Sequence, residues 1–164
     1  MIKKLLGGES ISSLGMNIIL IAVLPAIGEE LFFRGSMQNV LNRWMKNVHI
    51  GIWVTAFIFS CWHFQFFTFL PRVILGGLLG YLYVWSKSLW LPMAAHFVNN
   101  FMGVLLMYLA ENKYIDSNID EIGSDISIGI YVMMSIPLSS FLIYKIYKIE
   151  TKKRALNEHS SIQY

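Results

Sequence analysis

The sequence predicts an all-α protein, a polytopic bundle of about five transmembrane helices. Only 14% of its 164 residues are charged and 55% are apolar, whereas a soluble domain carries about 25% charged residues. The mean hydropathy of +0.54 agrees with this deficit of charge. At about 20 residues for each transmembrane helix, the chain is long enough for about five spans.

The first predicted helix covers about residues 10–44, with a kink at Pro25. It continues past Arg34 because apolar residues keep a helical spacing beyond that point. These residues are Met37, Val40, Leu41 and Trp44.

The other four helices are predicted at about residues 50–67, 71–85, 89–110 and 126–149 of a single membrane-embedded domain, 1–149. The third helix is short and rich in glycine, and small residues allow helices to approach closely within a membrane. An acidic loop, 111–125, precedes the fifth helix. The basic tail that follows the fifth helix, 150–164, is predicted to be disordered.

Basic residues near the predicted spans fall into two groups, and the more basic side of a membrane protein faces the cytoplasm. One side holds Arg34, Arg43, Lys46, Lys87 and the basic C-terminal flank, and the other holds Lys3, Lys4, Arg72 and Lys113 with the acidic loop. This predicts a cytoplasmic C-terminus and an outer N-terminus, which further helices ahead of Met1 would explain. The net charge of +3 is too small to indicate a nucleic-acid partner.

Two adjacent carboxylates, Glu29 and Glu30, stand at the end of the apolar run of the first helix. Each costs about 2.5–3.5 kcal/mol on insertion scales, so such groups pair, line a wet cavity or perform chemistry. Glu30 and Arg34 are four residues apart and share a helix face, whereas Glu29 points about 100° away. Glu30 therefore has a counter-ion in its own helix, and Glu29 is expected to meet a group from another helix.

Three further polar side chains lie in the second and fourth predicted helices: His63, His96 and Asn100. His96 and Asn100 share a helix face because they are four residues apart. Each alone has an ordinary structural interpretation, since an imidazole can bond a backbone carbonyl and a carboxamide can link two helices. Together with Glu29 they are four polar sites on three helices, and one shared cavity within the membrane would satisfy all of them.

An acid, two imidazoles and a carboxamide suit the activation of water. Glu29 would accept the proton as a general base while the other groups stabilise the oxyanion that develops. Glu29, His63 and His96 would equally form a zinc site with two histidines and one glutamate. The helical His-Glu-x-x-His pattern of zincins is absent, and the sequence leaves open whether a divalent metal such as zinc takes part.

Three motifs in this order resemble those of a known family. They are Glu29-Glu30-x-x-x-Arg34, Phe59-x-x-x-His63 and His96-x-x-x-Asn100. Gly35, the glycine-rich third helix and the segment 88–92 add to the resemblance, which covers about residues 22–106. The family is that of the CAAX-protease and bacteriocin-processing (CPBP) intramembrane proteases, related to type II CAAX prenyl endopeptidases.

This resemblance implies an intramembrane endopeptidase that hydrolyses peptide bonds with a glutamate-activated water. The implied catalytic set is Glu29, His63, His96 and Asn100, supported by Glu30 and Arg34. The family is often described as metalloproteases, which keeps a divalent metal as an option. The implied substrate is a peptide or protein at the membrane, lipidated in some relatives. The implied setting is a bacterial plasma membrane, with a role in peptide maturation or in immunity to bacteriocins.

The depth of the catalytic groups also requires a long first helix. If that helix ended at Arg34, Glu29 would lie under about 10 Å from its cytoplasmic end, and His63 some 20 Å from the same side. The two side chains meet only if the helix continues towards Trp44 or a re-entrant bend intervenes, and the apolar stripe favours continuation.

Two other functions compete with hydrolysis. A proton or ion carrier would use the buried groups as a relay, but it would need acidic residues at further depths, and Glu29 and Glu30 are the only ones within the predicted spans. A non-catalytic membrane immunity or interaction protein would be expected to lose members of the cluster, and none is lost. Hydrolysis is therefore favoured.

Overall fold

The computed structural model describes residues 11–66, 68–114 and 148, and most of them are helical. The described part contains no strand, and its helices are α1 (Ile11–Met45), α2 (Val48–Trp62), α3 (Phe69–Ser86) and α4 (Trp90–Glu111). The predicted all-α fold class is confirmed.

Several sequence-based predictions fall outside the described residues. They concern the fifth helix apart from Lys148, most of the acidic loop, and the tail. All four described helices lie in the first of two compact units, Met1–Ile115. The extent of one domain to residue 149 stays a prediction.

α1 is one continuous helix of 35 residues, so it continues past Arg34 as the apolar stripe indicated. Two of its segments, Ile18–Val23 and Leu31–Gln38, are π-helical, with hydrogen bonds that span five residues instead of four. The first π segment ends shortly before Pro25, whose ring would clash with the carbonyl of Ile21 in a regular α-helix. The wider π turn makes room for the ring, and the helix continues through the predicted kink.

The length of α1 places Glu29 and His63 at similar depths. Only Lys46 and Asn47 separate α1 from α2, so the neighbouring ends of the two helices lie at one level. At 1.5 Å per residue, Glu29 is about 24 Å from the end of α1 and His63 about 22 Å from the start of α2. The difficulty that a short first helix would have created does not arise.

α2 ends earlier than the sequence suggested. It begins after Asn47, whose side-chain Oδ1 accepts hydrogen bonds from the backbone N–H groups of His49 and Ile50, at 2.9 and 3.2 Å. It ends at Trp62 instead of the predicted residue 67. Phe64 adopts a left-handed backbone conformation, with φ of 52°, which is typical just after a helix end. His63 is therefore the residue that caps α2.

α3 packs closely on α1 and α2 through its glycines. A Cβ atom added at Gly80 would lie 2.9 Å from Cγ2 of Ile52, too close for ordinary contact. The close approach also brings two polar side chains of α1 onto carbonyls of α3. Arg34 Nη2 donates to the Gly76 oxygen at 3.0 Å, and Gln38 Nε2 donates to the Gly80 oxygen at 3.1 Å. The glycines thus allow the helix contact that the sequence predicted.

Three described helices are long and apolar enough to cross a membrane: α1, α3 and residues Trp90–Leu109 of α4. α2, at 15 residues, is shorter than the roughly 17 that a span needs. Large apolar side chains such as Leu24, Phe57 and Trp62 are exposed, as expected for surfaces that face lipid. Cys61 is exposed as well. The chain is an integral membrane protein.

Candidate active site

One cavity among the four helices contains all the polar residues that the motifs singled out for chemistry. Its volume is about 760 Å³, and its wall includes Glu29 of α1, His63 at the end of α2, and His96 and Asn100 of α4. A cavity of this size is in the range of small-molecule sites, about 300–1,000 Å³. The structure therefore brings the four predicted residues to one place.

Glu29 stands between the two imidazole rings. Its Oε2 atom lies 3.8 Å from Nε2 of His63 and 3.8 Å from Nε2 of His96. Both distances are too long for a direct hydrogen bond. This oxygen is buried and has no hydrogen-bond partner among the described residues, although the side chain as a whole is 26% exposed. The Oε2 atom of Glu29 and the Nε2 atoms of the two imidazole rings thus surround a gap.

The other nitrogen of each ring determines how that ring is turned. His63 Nδ1 lies 2.8 Å from the carbonyl oxygen of Phe59, and His96 Nδ1 lies 2.8 Å from Oε1 of Glu30. A carbonyl or carboxylate oxygen only accepts, so Nδ1 carries the hydrogen in both rings. A neutral ring then presents Nε2 as an acceptor towards Glu29. Whatever occupies the gap must therefore donate hydrogens or carry positive charge.

Glu30 and Arg34 form the supporting pair that their spacing predicted. Oε1 of Glu30 accepts from Arg34 Nη1 at 2.6 Å, and both side chains are fully buried. Arg34 also lies over the ring of Phe59, 4.9 Å from its centroid. The same Glu30 oxygen receives the hydrogen bond of His96, a contact that sequence spacing did not reveal. Glu30 thus links the buried arginine to the imidazole that faces Glu29.

Asn100 lines the cavity, but its hydrogen bonds go to neighbours in the wall. Its Nδ2 donates to the backbone oxygen of Ile21 at 3.2 Å, and its Oδ1 accepts from Asn99 at 3.2 Å. In an α-helix the N–H group four residues later would donate to the Ile21 carbonyl, but that residue is Pro25 and has no N–H. Asn100 supplies a donor in its place. Its role in binding water stays a prediction.

Arg72 lines the cavity, although its sequence position predicted only a basic residue at a membrane flank. It lies in the first turn of α3, and it lines the cavity together with Gln65 and Thr68 of the segment that precedes that helix. The distance in sequence between Arg72 and the three motifs does not predict that it lines the cavity. The α2–α3 connection brings it to the cavity wall.

The spacing of the three side chains tests whether they form the zinc site that the sequence left open. Ligand atoms around a tetrahedral zinc ion are about 3.4 Å apart, whereas Glu29 Oε2 is 3.8 Å from each imidazole nitrogen. Within the described part of the chain, no group of three His, Cys, Asp or Glu side chains is placed to hold a metal ion. As placed, the three side chains lie farther apart than zinc ligands do, and the participation of a metal stays a prediction.

A family model matches the part of the chain that builds this cavity. The model for type II CAAX prenyl endopeptidase Rce1-like proteins matches residues 11–102, more than half of the chain. The chain belongs to this family. The match includes α1, α2, α3 and the part of α4 that carries His96 and Asn100. The family resemblance that the three motifs of this Rce1-like chain indicated is therefore confirmed.

One curated protein similar to this Rce1-like chain is the uncharacterized protein YpbD of Bacillus subtilis (strain 168). The two are 34% identical over 100 residues. The aligned part is 58% of this chain and 46% of YpbD, so the chain spans less than half of that relative. No solved structure matches the chain.

Proposed function

We propose that this protein is an intramembrane endopeptidase that hydrolyses peptide bonds with a water molecule activated by Glu29. The observation that carries the proposal is the position of Glu29 Oε2, which is buried, lacks a partner among the described residues and faces two imidazole nitrogens. Membership of a peptidase family supports it.

A single water fits the acceptors that surround the gap. A separation of 3.8 Å between oxygen and nitrogen is too long for a direct bond, but one water can reach both atoms. Such a water donates one hydrogen to Glu29 Oε2 and the other to an Nε2 atom. Its lone pairs are then directed away from these acceptors, towards the carbonyl carbon of a bound peptide.

Hydrolysis then needs Glu29 as both base and acid. Glu29 takes a proton from the water as the water oxygen bonds to the carbonyl carbon and the carbonyl electron pair moves to its oxygen. When the tetrahedral intermediate collapses, the C–N bond breaks and Glu29 returns the proton to the leaving nitrogen. The Nδ2 group of Asn100 has two hydrogens, and the one not used by Ile21 would stabilise the oxyanion.

Glu30 and Arg34 act as positioning residues in this scheme. Glu30 holds His96 by Nδ1, which keeps Nε2 of that ring turned towards the water. Arg34 balances the negative charge of Glu30 inside the bundle. Because neither side chain contacts Glu29 or the gap directly, we expect them to set the orientation and stability of the site.

The substrate would be a peptide or protein segment at the membrane. Apolar side chains such as Leu75 and Val104 contribute to the cavity wall, which suits apolar or lipid-modified residues. The similarity to a protein of Bacillus subtilis supports a bacterial plasma membrane as the setting. Peptide maturation and immunity to bacteriocins are the roles that agree with such an activity.

The first prediction tests the catalytic set in the purified full-length protein. Glu29→Gln and His63→Ala are each expected to lower the cleavage rate of a fluorogenic reporter peptide by at least about 100-fold, because each removes a group that activates water. His49→Ala is the matched control, since His49 lies outside this cavity and bonds Tyr81. Undiminished cleavage by Glu29→Gln would contradict the assignment of the base.

The same assay with a chelator tests for a metal. Activation of water by Glu29 alone predicts that cleavage persists in a strong chelator and that the purified protein contains no stoichiometric zinc. Loss of activity with chelator, restored by added zinc, would replace this scheme with a metal-assisted one on the same residues.

A further inference from the structure

Arg72 lines the same cavity as Glu29, and the mechanism above does not use it. It lies in the first turn of α3, and Gln65 and Thr68 line the cavity with it. The wall therefore contains a second polar cluster, in addition to the acid and the two imidazoles.

Gln65 fixes the orientation of the guanidinium group. Arg72 Nη2 donates to Gln65 Oε1 at 2.8 Å, and that oxygen also accepts from Thr68 Oγ1 at 3.2 Å. The second terminal nitrogen of Arg72, Nη1, is buried and has no hydrogen-bond partner among the described residues. Among the described residues, Arg72 forms no ion pair with a carboxylate.

Arg34 shows a guanidinium whose charge is balanced by a carboxylate in this bundle, although its Nε also lacks a hydrogen-bond partner among the described residues. It has the carboxylate of Glu30, the carbonyl of Gly76 and the ring of Phe59 as neighbours. Arg72 has a neutral amide oxygen as its partner and one buried donor left over. A buried donor without an acceptor is unfavourable, and the planar fork of arginine matches the two oxygens of a carboxylate.

We infer that Arg72, held by Gln65, binds a carboxylate group of the substrate and selects peptides that carry one near the scissile bond. The inference rests on the proposed function, because it concerns the substrate of the same cavity. A peptide carboxylate is favoured over a lipid phosphate because Arg72 and Glu29 share one cavity. The carboxylate is either the C-terminus of the peptide or the side chain of an aspartate or glutamate, which present the same two oxygens.

Three reporter peptides of one sequence test this inference on the wild-type protein. The first has a free C-terminus and an asparagine near the scissile bond, the second is amidated and has aspartate at that position, and the third is amidated and keeps asparagine. At least one of the carboxylate peptides is expected to have a kcat/KM about 10- to 100-fold above that of the neutral peptide, mainly through KM. The peptide that shows the advantage identifies the source of the carboxylate.

Variants of Arg72 connect the preference to this side chain. Arg72→Gln is expected to abolish it, so that all three peptides have the same kcat/KM, and Arg72→Lys is expected to keep part of it because the charge remains without the fork. Arg43→Gln is the matched control, since Arg43 is exposed and does not line the cavity. A preference that survives Arg72→Gln, or the absence of any preference, overturns the inference.

A binding measurement separates this inference from the proposed function. Glu29→Gln protein is expected to bind the preferred peptide with a Kd about 10-fold or more below that for the neutral peptide, measured by fluorescence anisotropy in phosphatidylcholine vesicles. Failure of the wild type to cleave any peptide, with this difference in Kd intact, would refute the protease and keep the carboxylate site. Equal Kd values refute the site, as does a difference that appears only in vesicles containing phosphatidylglycerol.

Discussion

Two adjacent glutamates of one helix have opposite surroundings. The side chain of Glu30 is completely buried, and its Oε1 accepts from Arg34 and His96. Glu29 is 26% exposed and directs an unpaired oxygen into the cavity. Neighbouring residues on a helix point in directions about 100° apart, so one carboxylate enters the packed interior while the next reaches the cavity.

The second prediction, at the residue scale, concerns Glu30. Glu30→Ala leaves the guanidinium of Arg34 buried without its counter-ion, a change that costs about 3–5 kcal/mol of stability. A lower yield of folded protein and a lower melting temperature in detergent are expected.

Glu29→Ala is the control for that change, because it removes an adjacent carboxylate that has no direct partner. We expect its melting temperature to stay close to that of the wild type. Equal destabilisation by the two variants would contradict the division of roles between these residues.

At the scale of elements, α1 depends on α4 at the point where its own hydrogen bonding is interrupted. Pro25 lacks the N–H that an α-helix would donate to the Ile21 carbonyl. Asn100 of α4 donates to that carbonyl instead, at 3.2 Å. The residue that the third motif assigns to the active site thus also fixes two helices that line the cavity.

The third prediction is a rescue experiment on this contact. Asn100→Ala is expected to lower the free energy of unfolding by about 1 kcal/mol, because the partly buried carbonyl of Ile21 loses its donor. Pro25→Ala in the same background restores an N–H four residues after Ile21 and should recover part of that loss, measured by thermal unfolding.

Cleavage activity should not recover in the double variant, because the alanine at position 25 returns no amide to the cavity. Full recovery of cleavage would mean that Asn100 acts only through α1. Failure of Pro25→Ala to recover any stability would show that the Ile21 carbonyl does not depend on Asn100.

For the whole molecule, several basic residues lie directly beside the ends of helices. The end of α1 and the end of α3 are adjoined by Lys46 and Lys87, on the side that the sequence predicts to be cytoplasmic. Lys113 follows α4, on the opposite predicted side. Orientation in the membrane therefore stays a prediction. It can be tested at helix ends on both predicted sides of the membrane.

The fourth prediction is that Arg43 faces the cytoplasm and Lys113 the outside. In a Cys61→Ala background, a membrane-impermeant thiol reagent should label Lys113→Cys in intact cells and Arg43→Cys only after permeabilisation. The reverse pattern of labelling would show that the chain is inserted with the opposite orientation.

Much of the fold and of the candidate site could be predicted because it depends on local spacing. The apolar runs gave four described helices, with bounds that differ from the predictions by one or two residues except at the end of α2. That end depends on the left-handed backbone of Phe64, which no apolar pattern signals. The Glu30–Arg34 pair followed from its spacing of four residues, and the three motifs were sufficient to indicate the family.

The amino-acid order by itself determined a helical membrane protein with an internally paired glutamate and a set of polar residues at helical spacings. Only the tertiary structure decided which atoms meet. The bond between His96 and Glu30 joins residues 66 positions apart, the bond between Asn100 and Ile21 joins residues 79 apart, and Arg72 enters the cavity through the α2–α3 connection. The physical reason is that helix periodicity fixes the face on which a residue lies, whereas the partner on that face is set by how separate helices pack.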